Sequence, residues 1–281
     1  MKPNDKFLQL PKTFWANVRL ISQEVGYTEK GTNQIKVPSI DTIGSKLDRF
    51  GIDVSRLRFQ EAKSRRFDVL LQEYFTFRAD ILNSYVEPRL MNVKKAKQVF
   101  REYFTKLKPS CPIPLNKQTG AKRAPAYLTG LVNMLIEANS RGLPCDYDPR
   151  QLTILTKDYL PLRTLARRVD GAFPSSINPM AVWEIKEYYY TTTFGSRVAD
   201  GIYETLLDGL ELEELVENED VKVEHYLIVD AYDTWWKQGK SYLCRIIDLL
   251  HMGLIDEALF GYEVVERLPS IVYRWVSQMV K

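Results

Sequence analysis

The stretch Met180-Ala-Val-Trp-Glu-Ile-Lys-Glu-Tyr-Tyr-Tyr190 decides how the second half of the chain folds. Aromatic and β-branched residues alternate with charged ones, as in a strand, and Pro174-Ser-Ser-Ile-Asn-Pro179 supplies the turn before it. Upstream, 152–156 reads as a short strand and 163–173 as a longer one, after a helix at 126–139 carrying Leu128, Leu131, Val132, Leu135 and Ile136. Downstream, Val198, Ile202, Leu206, Leu210 and Leu215 mark a helix over 195–216. The run 221–230 ends as a buried strand would, and a further helix starts at 243–250. A helix between two strands of one sheet implies a crossover, so the spacing predicts an α/β (α+β) core.

Within that core one constellation carries chemistry. Residues two apart on a strand face the same side, so Glu184 and Lys186 project together while Trp183 and Ile185 face the other way. Asp170 closes the preceding strand in Arg167-Arg-Val-Asp-Gly171, and the reversal at 174–179 can bring it beside Glu184. Two carboxylates suit a hard divalent cation such as Mg²⁺, which keeps its waters. Such a cation stabilises charge on a phosphodiester oxygen and acidifies a bound water. The lysine can orient or deprotonate that water and offset charge in the transition state. An exposed cross-strand salt bridge would use the same residues without catalysis.

Asp170 followed fourteen residues later by Glu184-x-Lys186, between strands and before a helix, resembles the PD-(D/E)xK nuclease superfamily, nearest in function to the type II restriction endonucleases. The resemblance covers roughly residues 126–251 and departs at Val169, where the motif has proline. It implies a restriction-endonuclease-like mixed sheet flanked by helices. It also implies metal carboxylates at Asp170 and Glu184, a catalytic lysine at Lys186, and a further carboxylate from the preceding helix at Glu137. The expected activity is Mg²⁺-dependent endonucleolytic cleavage of double-stranded DNA in host defence. The expected partners are a second copy of the chain, forming a homodimer, and a cognate DNA methyltransferase. A structure-specific or repair nuclease of the same fold, or a non-catalytic nucleic-acid-binding protein, would carry the same residues.

Composition agrees with a globular chain: 281 residues, 45% hydrophobic and 27% charged. His225 and His251 are the only histidines, and Cys111, Cys145 and Cys244 have no metal-binding spacing. Most histidine-based chemistry, including that of the ββα-metal nucleases and His-rich zinc hydrolases, is thereby excluded, leaving carboxylates for any metal. No apolar run approaches the roughly eighteen residues of a membrane span, and the opening Met1-Lys-Pro-Asn-Asp lacks a signal-peptide core, so the expected location is the cytoplasm.

The net charge of +3 conceals an asymmetry. Residues 1–150 hold 26 Lys and Arg against 15 Asp and Glu, a balance of +11, whereas 151–281 hold 13 against 21, a balance of −8. Residues 1–107 read as a basic helical DNA-binding region, 108–125 as a basic Pro-rich loop carrying Lys122 and Arg123, and 126–281 as the catalytic core. Helical patterns at 12–25 and 39–51 fit a helix-turn-helix within 14–51 or a packed helical hairpin. Lys94, Lys97 and Arg101 fall on one helix face and can track phosphates, as can Lys122 and Arg123 in the loop. Ser196 and Arg197, opening the helix after the Glu184 strand, are candidates to hold a phosphate, with Glu204 two turns along on the same face. Asp230 and Asp233 stand at a strand end, where they bind ligands or cap the following turn; His225 reads as structural, and Trp235-Trp236 as core or interface.

Overall fold

The computed structural model describes residues 1–8, 10–59, 61–63, 65–116, 124–190 and 195–279. Its first part is helical: α1 (Lys12–Val25), α2 (Ile40–Asp48), α3 (Val54–Phe59), a small hairpin of β1 (Glu61–Ala62) and β2 (Arg65–Arg66), then α4 (Phe67–Ile81). Helix α1 buries Phe14, Trp15, Val18 and Ile21. Helix α2 starts where the Ser39 side chain accepts from the Thr42 N–H and buries Ile43 and Leu47. These residues meet Phe67, Tyr74 and Phe75 of α4 in an aromatic core, with Trp15 edge-on to Tyr74 at 5.1 Å.

One expectation changes here. Residues 26–39 between α1 and α2 form a turn bridged at Thr28 and Ile35, not the three- or four-residue link of a helix-turn-helix. Past α4 the chain stays helical as far as Arg89. A π-turn at Leu82–Val86 resets the spiral into α5 (Glu87–Arg89), so Pro88 sits in a helix's first turn, where its missing N–H is not needed. The chain becomes extended at Leu90.

The second part begins with α6 (Val93–Leu107) and α7 (Tyr127–Asn139), which pack together through Ala96, Val99 and Phe100 against Leu128, Leu131 and Leu135. Helix α6 therefore shares the core of the sheet. Next come β3 (Ile154–Lys157), β4 (Leu160–Thr164), β5 (Gly171–Phe173), β6 (Ala181–Glu187), α8 (Ser196–Glu219), β7 (Glu224–Asp230), α9 (Lys240–His251), β8 (Glu257–Phe260) and α10 (Glu263–Met279). The main sheet is mixed, in the order β5-β6-β7-β8. β5 runs antiparallel to β6, whereas β6, β7 and β8 are parallel, with α8 and α9 as the connections.

Alternation along the strands assigns the two faces. Trp183, Tyr226, Ile228 and Leu259 pack toward α7 and α10, and Leu227, Val229, Ala258 and Phe260 toward α8 and α9. The expected long strand at 163–173 is in fact two. β4 pairs with β3 in a separate hairpin whose turn has Asp158 and Tyr159 at positive φ, and the chain turns through 165–170 before β5 joins the sheet. Among the described residues no helix is long and apolar enough to cross a membrane.

Buried polar bonds tie the two parts together. Arg78 on α4, 1% exposed, pairs with Asp248 on α9 at 3.1 Å, and Tyr74 Oη donates to the same carboxylate at 2.6 Å. Removing one member of a buried pair strands the other charge at a cost of about 3–5 kcal/mol. Arg78→Met should lower unfolding stability in urea by that amount. Arg78→Met/Asp248→Leu should recover part of it; a single variant as stable as wild type would show that the pair does not anchor the two parts.

Candidate active site

Strand β6 carries Glu184 and Lys186 on the face that looks toward α8, and Trp183 on the opposite face, where it stacks on Trp275 at 5.9 Å and an interplanar angle of 9°. Gly171 makes the β5–β6 pairing workable. It lies opposite Trp183, and a Cβ there would stand 2.1 Å from the indole ring. On the other face Gly201 of α8 leaves room for the lysine stem, since a Cβ would lie 3.2 Å from Lys186 Cδ.

Glu184 has no solvent exposure. Its Oε2 accepts from Lys186 Nζ at 2.8 Å. Its Oε1 faces Arg167 Nη1 at 2.9 Å and accepts from the Asp170 N–H at 3.2 Å. Burial opposes its charge, but Lys186 and then Arg167 more than offset that, and the carboxyl is held below its usual range. Lys186 is also buried, yet the charges of Glu184 and Asp170 keep it a firmly protonated ammonium, raised above its ordinary value. Its Nζ makes a second bond to Glu204 Oε2 at 2.7 Å.

Asp170 stands at the exposed rim of the sheet, with Oδ2 accepting from the Ile185 N–H at 2.7 Å. Protein packed around its carboxyl, and then the neighbouring Glu184 charge, push it up to about 6. Sequence reasoning therefore found the strand pair and the aspartate that meets it. It missed Arg167, which binds Glu184, Glu204 Oε2 at 3.4 Å and Asp208 Oδ2 at 2.7 Å. It missed Asp208 as well, a fully buried acid one turn beyond Glu204, raised to about 7 by burial and then by the Glu184 charge. The spacing of Glu204 and Asp208 on one helix face was the available signal.

The cluster thus holds four carboxyls (Asp170, Glu184, Glu204, Asp208) against two cations (Arg167, Lys186), a formal −2 when all are ionised. Among the described residues no group of three or more His, Cys, Asp or Glu side chains forms a metal cage. Of these acids Asp170 stands at the rim, whereas Glu184 is fully buried with Oε2 on Lys186 and Oε1 on Arg167 and the Asp170 amide. Two carboxylates are of the ligand type Mg²⁺ takes, with water completing its shell, and binding it here would require Glu184 to exchange one of its present partners.

The other candidates lie elsewhere. Glu137 does not join the cluster; its carboxylate accepts from the Ser110 N–H at 3.1 Å and from the Ser110 hydroxyl, fixing the loop after α6. The acid that reaches Lys186 from a helix is Glu204. Ser196 and Arg197 are exposed at the start of α8, and the Arg197 carbonyl accepts from Tyr188 Oη at 3.2 Å. Lys94, Lys97 and Arg101 are exposed along α6, whereas Lys122 and Arg123 lie outside the described residues. The helical turn that follows Asp230 has no side-chain cap; Asp230 is buried and holds neighbouring backbone. Its Oδ1 accepts from the Met91 N–H at 2.7 Å and the Ala231 N–H at 2.9 Å, and burial raises its carboxyl to about 8. Asp233 pairs with Lys237 one turn along. Both Trp235 and Trp236 are core residues, and Trp235 Nε1 donates to the Lys186 carbonyl at 3.3 Å. His225 is buried, its Nδ1 2.8 Å from the Leu254 carbonyl, and burial lowers its proton affinity.

Residues 91–275 match the family described as Domain of unknown function (DUF7687), and residues 1–85 match the one described as Domain of unknown function (DUF7690). The first match spans more than half of the chain, which belongs to that family. No curated protein and no solved structure matches it. The interval between the two matches, 86–90, leaves α6 with the sheet.

Asp170 supplies a pH test. Its folded-state proton affinity exceeds the ordinary value of 3.8, so the stability linked to this group is full at low pH and is lost as pH rises from about 4 through about 6. Asp170→Asn should therefore melt above wild type at pH 7.5, with the gap closing toward pH 4. An equal or lower melting temperature at pH 7.5 would contradict the crowding described here.

Proposed function

We propose that the chain is a Mg²⁺-dependent endodeoxyribonuclease with a restriction-endonuclease-like core, acting on double-stranded DNA in host defence. The observation that carries the reading is the Asp170–Glu184–Lys186 cluster at the rim of a mixed sheet. Asp170 and Glu184 would hold the metal, which when bound supplies charge for a phosphodiester oxygen and an acidified water. Lys186, as an ammonium, offsets negative charge building on phosphorus. Glu204 and Arg167 position it: one holds Nζ, and the other pins the carboxylates around it. Asp170 Oδ2 accepts from the Ile185 N–H, and its Oδ1 would be the oxygen offered to the metal. Arg197 and Ser196, at the start of the same helix, suit a DNA phosphate. On this reading a homodimer would cut both strands, and a cognate methyltransferase would protect host sites.

One observation favours a second reading. Glu184 is already saturated by Lys186, Arg167 and an amide, which is how a purely structural ion cluster in a non-catalytic nucleic-acid-binding protein would look. Plasmid cleavage separates the two. Wild type should cut with Mg²⁺ and stop with EDTA, and Glu184→Ala and Lys186→Ala should each lose on the order of 10²-fold or more in rate while remaining folded by circular dichroism. Absence of cleavage on unmodified DNA of varied sequence, or full activity in both variants, would exclude the assignment. Discrete bands distinguish a restriction enzyme from a structure-specific nuclease.

DNA binding gives a separate measurement. Each phosphate contact contributes about 0.9 to the slope of log affinity against log salt. Replacing Lys94, Lys97 and Arg101 with alanine should flatten that slope by roughly two to three. An unchanged slope would remove α6 from the interface.

A further inference from the structure

The cluster at Glu184 leaves a second concave site unexplained. A cleft of about 490 Å³ opens where the segment 1–85 meets α8 and α9. That volume lies within the range of about 300–1,000 Å³ typical of small-molecule sites, which favour such junctions.

Two guanidiniums face the cleft, Arg19 from α1 and Arg245 from α9. Arg245 is half-buried, lying over the rings of Tyr27 at 5.3 Å and Tyr242 at 5.2 Å. Arg19 is exposed and reaches the Met252 sulfur at 3.5 Å. Among the described residues neither has a carboxylate at ion-pair distance. The acid in the wall, Asp248, is already held by Arg78 and Tyr74. The cleft is therefore lined by two guanidiniums without a carboxylate partner among the described residues, and the planar fork of a guanidinium suits phosphate. The rest of its wall is aromatic and aliphatic: Tyr27 and Tyr203 beside Ile202, Leu206 and Leu249. A planar ring packs favourably on such surfaces.

We infer that this cleft binds a nucleoside monophosphate, with its phosphate on Arg19 and Arg245 and its base against Tyr27, Tyr203 and the aliphatic wall. The inference does not depend on the nuclease reading. An anion alone would leave the apolar wall unused, and a neutral ring would leave both guanidiniums uncompensated.

The test is calorimetric titration of the full chain with AMP, GMP, CMP and UMP, beside adenosine and inorganic phosphate. At least one monophosphate should bind one-to-one and raise the melting temperature with concentration. Its nucleoside and inorganic phosphate should each bind at least about tenfold more weakly. Arg245→Ala and Tyr203→Ala should each weaken binding by about tenfold or more, with Lys157→Ala, outside the cleft, as wild type. If Arg245→Ala does not fold, Arg19→Ala and Tyr203→Ala, at exposed positions, carry the comparison. Three results would overturn the inference: no binding by any monophosphate up to about 1 mM, phosphate binding as tightly as the nucleotide, or unchanged affinity in the folded cleft variants.

Discussion

A carboxylate with no access to water governs the architecture around β6. Moving an ion of this kind from water into protein costs several kcal/mol even after relaxation. Glu184 meets that cost through an ammonium two residues away on its own strand, a guanidinium from the bend before β5, and the Asp170 amide. Each requirement fixes a piece of backbone. Lys186 must share the face of Glu184, so β6 must be regular there. Arg167 must fold back over the sheet, so the chain cannot continue straight from β4 into β5. Helix α8 must then supply Glu204 and Asp208 one turn apart to satisfy the two cations. Burial, and then the Glu184 charge, raises Asp170 and Asp208, the two acids of this cluster whose proton affinity moves toward neutral pH.

What was legible in the sequence follows from the range of the interactions involved. The period-two pattern of 180–190 is a local signal, and the facing of Trp183 and Glu184 came directly from it. The meeting of Asp170 and Glu184 needed only a short reversal. The break between β4 and β5 was hidden because residues 163–173 keep a strand-like mix of apolar and charged residues. Their separation depends on non-glycine residues at positive φ in the β3–β4 turn and on long-range pairing. β8 is four residues long, too short for periodicity to reveal, and is defined by its parallel pairing with β7.

The site divides in the same way. Glu184 and Lys186 declare themselves by spacing, whereas Arg167 is one of two adjacent arginines, and nothing local says which one turns inward. Glu137 and Glu204 both sit on helices near the sheet. Only the packing decides between them: α7 turns Glu137 to the loop at Ser110, while α8 lies across the face that carries Lys186. The grip of Asp230 on the Met91 amide was not among the sequence expectations, because that contact joins residues 139 positions apart.

The N-terminal helices are not an independent appendage on this core. Ala79, Leu82 and Val86 belong to the same apolar cluster as Val198, Ile202 and Leu250, and Arg78 delivers its charge to Asp248 inside it. Helix α8 is the element common to both regions. Ile202, Tyr203 and Leu206 form part of the wall of the cleft against α1, while Glu204, between them in sequence, holds Lys186. The cleft wall and the partner of the ammonium are thus successive residues of one packed helix, so the sequence of α8 must satisfy both at once: apolar and aromatic side chains toward α1, carboxylates toward Lys186 and Arg167.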